Sequence, residues 1–189
     1  MTRPAARAAS RRWGLAVVAA IVGTSARAGA EPQMSVALTV GGGVGEVRAP
    51  SPVGAFHLGL RGDVLFFRDR NGQAALGPYV EVLTRTFETF ETGGGLSFLV
   101  PLSDAVPLVL SAGPFVRGSK VGWEGGLAGH AFLGSRSHNF HSVYGWQLGG
   151  FVDVRAGFGP AQQLDVLWGL QIDTEILALP FVLLINAFR

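Results

Sequence analysis

Residues 55–67 read Ala-Phe-His-Leu-Gly-Leu-Arg-Gly-Asp-Val-Leu-Phe-Phe, and their period is two. Phe56, Leu58, Leu60, Val64 and Phe66 fall on one parity; His57, Gly59, Arg61 and Asp63 fall on the other. Successive side chains of an extended strand point to opposite faces, so this stretch carries one apolar face and one face of ions and glycine. The same rule holds elsewhere. Residues 164–173 set Leu164, Val166, Trp168, Leu170 and Ile172 against Asp165, Gly169, Gln171 and Asp173. Tyr144, Trp146, Leu148, Val152 and Val154 oppose Gln147, Gly149, Asp153 and Arg155, and Leu76, Val80 and Val82 oppose Tyr79, Glu81 and Arg85.

Eight alternating segments can be laid out, at 34–42, 55–67, 74–86, 93–102, 108–118, 123–133, 142–155 and 164–173. Most are longer than the ~5–6 residues of an ordinary soluble strand and match the ~9–11 of a tilted transmembrane strand. Turn-formers separate them: Arg70-Asn71-Gly72-Gln73 is a hairpin signal, and Ser103-Asp104 lies between Pro101 and Pro107. The glycine run at 41–45 has no following Lys-Ser/Thr, so it reads as a hairpin connection and not as a phosphate cradle. Phe87 and Phe90, near Glu88 and Glu91, read as an exposed loop.

The charges inside the segments are Arg61, Asp63, Glu81, Arg85, Arg117, Glu124, Asp153, Arg155, Asp165 and Asp173, and none falls on the apolar parity. A soluble barrel would show these ions to water; a membrane barrel would enclose them. Three features favour enclosure. The charged face is also rich in glycine (41, 59, 95, 113, 126, 149 and 169), which suits a cramped interior. Phe56, Phe66, Trp123, Tyr144 and Trp146 sit towards segment ends, as interfacial aromatics do. Beyond residue 30 the only lysine is Lys120, although lysines commonly protect soluble sheet edges.

The first 30 residues read as a secretory signal peptide. Arg3, Arg7, Arg11 and Arg12 form a basic region, residues 13–22 an apolar one, and Ala28-Gly29-Ala30 a small-x-small cleavage site. Residues 31–189 then form the mature domain, with ten basic and thirteen acidic residues and a formal charge of −3. The pI of 9.7 belongs to the precursor and gives no support for nucleic-acid binding. Mean hydropathy is high, +0.35, yet no apolar run outside the N-terminus approaches the ~20 residues of a membrane helix. With no cysteine, disulfides and thiolate chemistry are excluded.

The signal peptide, strand count, dyad alternation and polar interior together resemble the small eight-stranded outer-membrane barrels of Gram-negative bacteria, of the outer membrane protein A and X type. The resemblance is architectural and spans 34–173. It implies an all-β, antiparallel up-and-down transmembrane barrel in the outer membrane, in contact with its lipid, with no cofactor and an unspecified protein partner. One stretch departs from it. Such barrels usually finish on a strand with a terminal aromatic, whereas residues 174–189 are nearly all apolar and contain Pro180 and Asn186. A closing strand is the preferred reading; the alternative is a short apolar helix capped by Asp173 or Thr174.

Candidate chemistry is sparse. Ser137, His138, His141 and Ser142 supply the hydroxyl and imidazole types of a nucleophilic site, and the two histidines are possible metal ligands. Their spacing matches no catalytic signature, and a polar turn bonded to its own backbone explains them without a metal or a reaction. The inward ions read as a paired plug, because an eight-stranded barrel is about filled by its own side chains. The leading functional reading is therefore a non-enzymatic outer-membrane barrel of envelope-structural or surface-interaction type. The alternatives are a membrane-embedded lipid hydrolase or acyltransferase using the His138/His141 stretch, and a periplasmic, lipocalin-like lipid carrier.

Overall fold

The computed structural model describes residues 31–46, 53–120, 122–137, 143–159 and 163–187. The expected leader, and with it His138, His141 and Ser142, lies outside these residues. Eight strands run β1 (Gln33–Gly45), β2 (Val53–Leu65), β3 (Ala75–Arg85), β4 (Thr89–Pro101), β5 (Pro107–Ser119), β6 (Gly122–Arg136), β7 (Gln147–Gly157) and β8 (Leu164–Asp173). Each pairs antiparallel with its sequence neighbour, and β8 returns to β1, so the wall is a closed barrel. The start of β1 and the end of β8 share one rim, here the near rim. The β1–β2, β3–β4, β5–β6 and β7–β8 connections lie at the far rim.

Alternation and closure together decide what faces inward. In β2, His57, Arg61, Asp63 and Leu65 are buried, while Phe56 and Leu60 are exposed. In β3, Tyr79, Glu81, Leu83 and Arg85 are buried between exposed Leu76, Val80 and Val82. Around the whole wall the ions face the interior, and the outer surface is a belt of Leu, Val, Phe and Trp. Glycines on the inward parity let neighbouring strands approach. A Cβ on Gly41 would run into the Trp168 carbonyl of β8, and one on Gly169 into the Val40 carbonyl of β1. Closure of β1 on β8 thus depends on this pair.

Several boundaries differ from the sequence reading. The glycine run is no hairpin connection: β1 continues through Gly45, with Val44 paired to Gly54 and Val166. The β3–β4 connection is a tight three-residue turn, Thr86-Phe87-Glu88, in which Thr86 and Phe87 have positive φ and the Glu88 N–H donates to the Arg85 carbonyl at 3.0 Å. Such turns normally carry Asn or Gly, so nothing in the sequence signals it. As a result β4 starts at Thr89, and Glu91 is a fully buried strand residue, not a loop residue. β6 extends to Arg136, and β7 begins only at Gln147.

The preferred closing strand is also corrected. Residues Thr174–Ala187 form a helix, α1. With Ala37 to Val44 already paired to β8, the eighth strand leaves no edge for a ninth. Asp173 ends the ladder and starts the helix, its Oδ1 accepting the Glu175 N–H at 2.8 Å as an N-cap does.

Candidate functional site

Among the described residues, most of the charged side chains and both histidines are buried in the barrel interior. Nearest the far rim is a closed ring of alternating charge. Arg85 contacts Glu91 through Nε and Asp165 through Nη1, both at 2.8 Å. Arg117 contacts the same two carboxylates at 2.7 and 2.5 Å, and Glu124 at 2.9 Å. Four strands supply the ring, because each places an ion on its inward parity within two residues of the rim or a few residues below it. Arg155 links the ring to the middle of the barrel, lying 3.1 Å from Glu91, 2.5 Å from Glu81 and 2.8 Å from Asp153. Arg61 completes the set at 2.8 Å from Glu81.

Aromatic rings fill the space between these ions. The Arg61 guanidinium lies 3.8 Å above the Tyr79 ring. Phe115 sits between Arg117 and Arg155, at 5.1 and 5.5 Å, in room left by Gly126, where a Cβ would strike the ring. Phe151 lies between two imidazoles, with His57 at 5.5 Å and His130 stacked at 5.3 Å. The His57 Nε2 is 3.0 Å from the Thr39 hydroxyl, and the His130 Nδ1 is 3.7 Å from Asp153. A cavity of about 10 Å³ remains beside His57, His130 and Asp153. That is room for about a single water, so the middle of the barrel is filled.

Toward the near rim the interior changes character. Leu65, Ala75, Leu99, Val109 and Phe132 form an apolar cluster across β2 to β6. Beside it, Arg136 donates from Nη1 to Asp63 at 2.8 Å, and Nη2 donates to the Ser35 hydroxyl at 2.8 Å and to the second Asp63 oxygen. Gln147 and Gln171 extend these bonds towards β8. Arg68, in the β2–β3 connection, is fully buried. Its Nη2 donates to the Asn71 carbonyl at 3.3 Å, but Nε and Nη1 find no acceptor among the described residues. Burial, reinforced by the neighbouring Arg136 charge, pushes Arg68 down to about 10.

The sequence-derived residues therefore divide. Arg61, Glu81, Arg85, Arg117, Glu124, Asp153, Arg155 and Asp165 meet in one connected set of ion pairs. Asp63 belongs to a second set, with Arg136. Asp173 departs from both: its Oδ1 receives the Tyr144 hydroxyl at 2.8 Å as well as the Glu175 N–H. Phe56, Trp123 and Trp146 are exposed and Phe66 half-buried near the rims. Tyr144 is no strand aromatic. It precedes β7, and its hydroxyl reaches back to β1, accepting the Val36 N–H at 3.3 Å. Ser137 Oγ accepts the Trp146 N–H at 3.0 Å, which occupies it in a turn.

The residues that sequence reasoning missed are Glu91, Arg136 and Arg68. Glu91 and Arg136 lie on the correct parity but beyond the assumed strand ends, so extending alternation by two or three residues finds both. Arg68 carries no such signal, since it lies off the ladder. Among the described residues no group of three or more His, Cys, Asp or Glu is placed to hold a metal ion. The chain matches no family model, and comparison with curated proteins and with solved structures finds no match. Function must therefore be argued from the barrel's own geometry.

At the far rim an open cavity of about 280 Å³ is bordered by Glu46, Arg85, Glu88, Thr89, Lys120 and Gln163, and Arg85 is the ring member that reaches it. Its charges are mixed. Lys120 and Glu88 pair at 2.8 Å on the exposed lip, which holds the lysine above and the glutamate below their ordinary ranges.

Proposed function

We propose that the chain is an outer-membrane β-barrel with a plugged interior, whose role is structural in the envelope or lies in interaction at its exposed rim. One observation carries this reading: the wall has inverted polarity. Buried arginines and carboxylates line the inside, while outward residues such as Val80 (67% exposed) and Leu96 (60%) cover the outside. In water this distribution is unfavourable at roughly 25 cal/mol per Å² of apolar surface. In a bilayer it is the arrangement expected, and a midplane charge on that face would cost about 2–4 kcal/mol.

Two further features agree. Strands of 10 to 15 residues are long enough to cross ~30 Å of hydrocarbon at a tilt. Exposed aromatics occur near both rims, with Phe56, Phe87, Phe90 and Trp123 at the far one and Phe67, Phe98 and Trp146 at the near one. In this reading residues 1–30 are the cleaved export signal. A carrier of lipocalin type needs an apolar hollow, and the filled ionic interior argues against it. A lipid hydrolase would have to act through residues 137–142, of which Ser137 is described, with its Oγ engaged by the Trp146 N–H.

Refolding tests the proposal. The mature chain, diluted from urea into detergent micelles, is expected to gain β-sheet circular dichroism and to migrate differently on gels with and without heating. A monodisperse folded protein in buffer without detergent would refute it.

A further inference from the structure

The helix that follows β8 is apolar on every side. Residues 176–185 are Ile-Leu-Ala-Leu-Pro-Phe-Val-Leu-Leu-Ile, without a single polar side chain. Leu177, Leu179, Leu183, Leu184 and Ile185 are all exposed, and at 100° per residue they point around the whole circumference. Among the described residues the helix has few contacts with the barrel, to β8 and β1, the strands beside its start. There it is held firmly: Asp173 caps it, Tyr144 bonds to Asp173, and the Thr174 hydroxyl donates to the Val36 carbonyl at 3.1 Å.

A helix of this kind does not stand alone in water. Fourteen residues are marginal even for sequences of high helix propensity, and Pro180 removes one internal hydrogen bond. Since the barrel scarcely covers it, its stabilising surroundings lie outside the described chain. A protein groove covers one face of a helix and leaves a polar stripe opposite; α1 has none. Acyl chains cover all faces and enforce backbone hydrogen bonding. The apolar stretch is about 15 Å long at 1.5 Å per residue, half of a ~30 Å hydrocarbon core.

From these observations we infer that α1 is a lipid anchor, buried in the acyl region of the leaflet at the near rim and locked to the barrel wall by the Tyr144–Asp173–Thr174 cluster. It does not cross the bilayer, and it differs from helices that lie at headgroup level, which are strongly amphipathic. This rests on the membrane reading of the barrel, and the test separates the two. The absence of cysteine makes single-site labelling clean. An environment-sensitive fluorophore is placed on Leu184→Cys in the helix, Val152→Cys on the belt, and Arg70→Cys in the exposed β2–β3 connection. The full mature chain is reconstituted into phosphatidylcholine–phosphatidylglycerol vesicles.

Quenching by a lipid-chain nitroxide is expected to be severalfold stronger at 184 and 152 than at 70, with iodide showing the reverse order. Iodide access at 184 alongside lipid quenching at 152 overturns the anchor and leaves the membrane barrel standing. Protection of 184 from both quenchers also overturns it, in favour of a protein partner or a second copy. Iodide access at both 184 and 152 defeats the membrane reading itself. Tyr144→Phe, with the barrel still folded by gel mobility, is expected to broaden the depth distribution at 184; an unchanged distribution removes the locking role.

Discussion

The two ends of the barrel interior enclose side chains equally well but by different means. At the far end the space is occupied by Arg85, Glu91, Arg117 and Asp165 in a closed ring of opposite charges. At the near end Leu65, Leu99, Val109 and Phe132 pack as hydrocarbon, with one bidentate ion pair beside them. The hydrocarbon plug gains from burial and tolerates small shifts. The ionic plug must compensate a large desolvation cost through geometry, and it fails when one member is removed. The ionic plug also reaches the far-rim cavity through Arg85, a charge that is compatible with water there.

Removing Glu91 should break the comparison most severely. Three guanidinium groups approach this carboxylate, so Glu91→Ala leaves buried, uncompensated positive charge. A loss of about 4 kcal/mol is expected from urea unfolding in micelles. A loss under ~1 kcal/mol would mean that the ring is solvated and not a plug. Leu99→Ala at the other end should cost about 3 kcal/mol, the transfer term plus a residual cavity. Finding Leu99→Ala clearly worse than Glu91→Ala would reverse the assignment of fragility.

Arg68 sharpens the contrast by its sign. It is a buried cation at the hydrocarbon end with two donors unmet among the described residues, so Arg68→Met should be neutral or stabilising by about 1 kcal/mol. Its pH dependence follows from the same burial. The folded protein binds this proton less tightly than the unfolded chain does. Stability should therefore rise as pH increases from about 10 towards the ordinary arginine range, and Arg68→Met should lack that part of the rise. Equal pH profiles for the two proteins would show that Arg68 is solvated.

Lys120→Ala should do least. Its bond to Glu88 lies on the exposed lip, and unfolding midpoints are expected to agree within error. Raising salt to 1 M, with a screening length near ~3 Å, should loosen this pair and leave the ring intact. A midpoint that falls steeply with salt would place the ring in contact with bulk solvent.

Much of this was legible from alternation. The parity of residues 55–67 and 164–173 identifies which side chains share a face, and long alternating segments with intervening turn signals give the strand count. Strand ends were less legible. The Thr86-Phe87 turn uses residues that turns of its type disfavour, and it hid Glu91; the 137–146 connection hid Arg136 and the role of Tyr144. The fate of 174–187 could not be read from period, since a uniformly apolar stretch has none.

What the sequence alone determined is the division of each strand into two faces, because side-chain alternation is a local consequence of extended backbone. Which ions meet was decided by tertiary structure. Arg61 and Glu81 are register neighbours and do pair. Arg155 and Asp165 are also register neighbours, yet Arg155 turns to Glu81, Glu91 and Asp153, and Asp165 is taken by Arg85 and Arg117. Partner choice across a barrel depends on strand stagger and on the width left by glycines and rings, and those quantities exist only once the wall has closed.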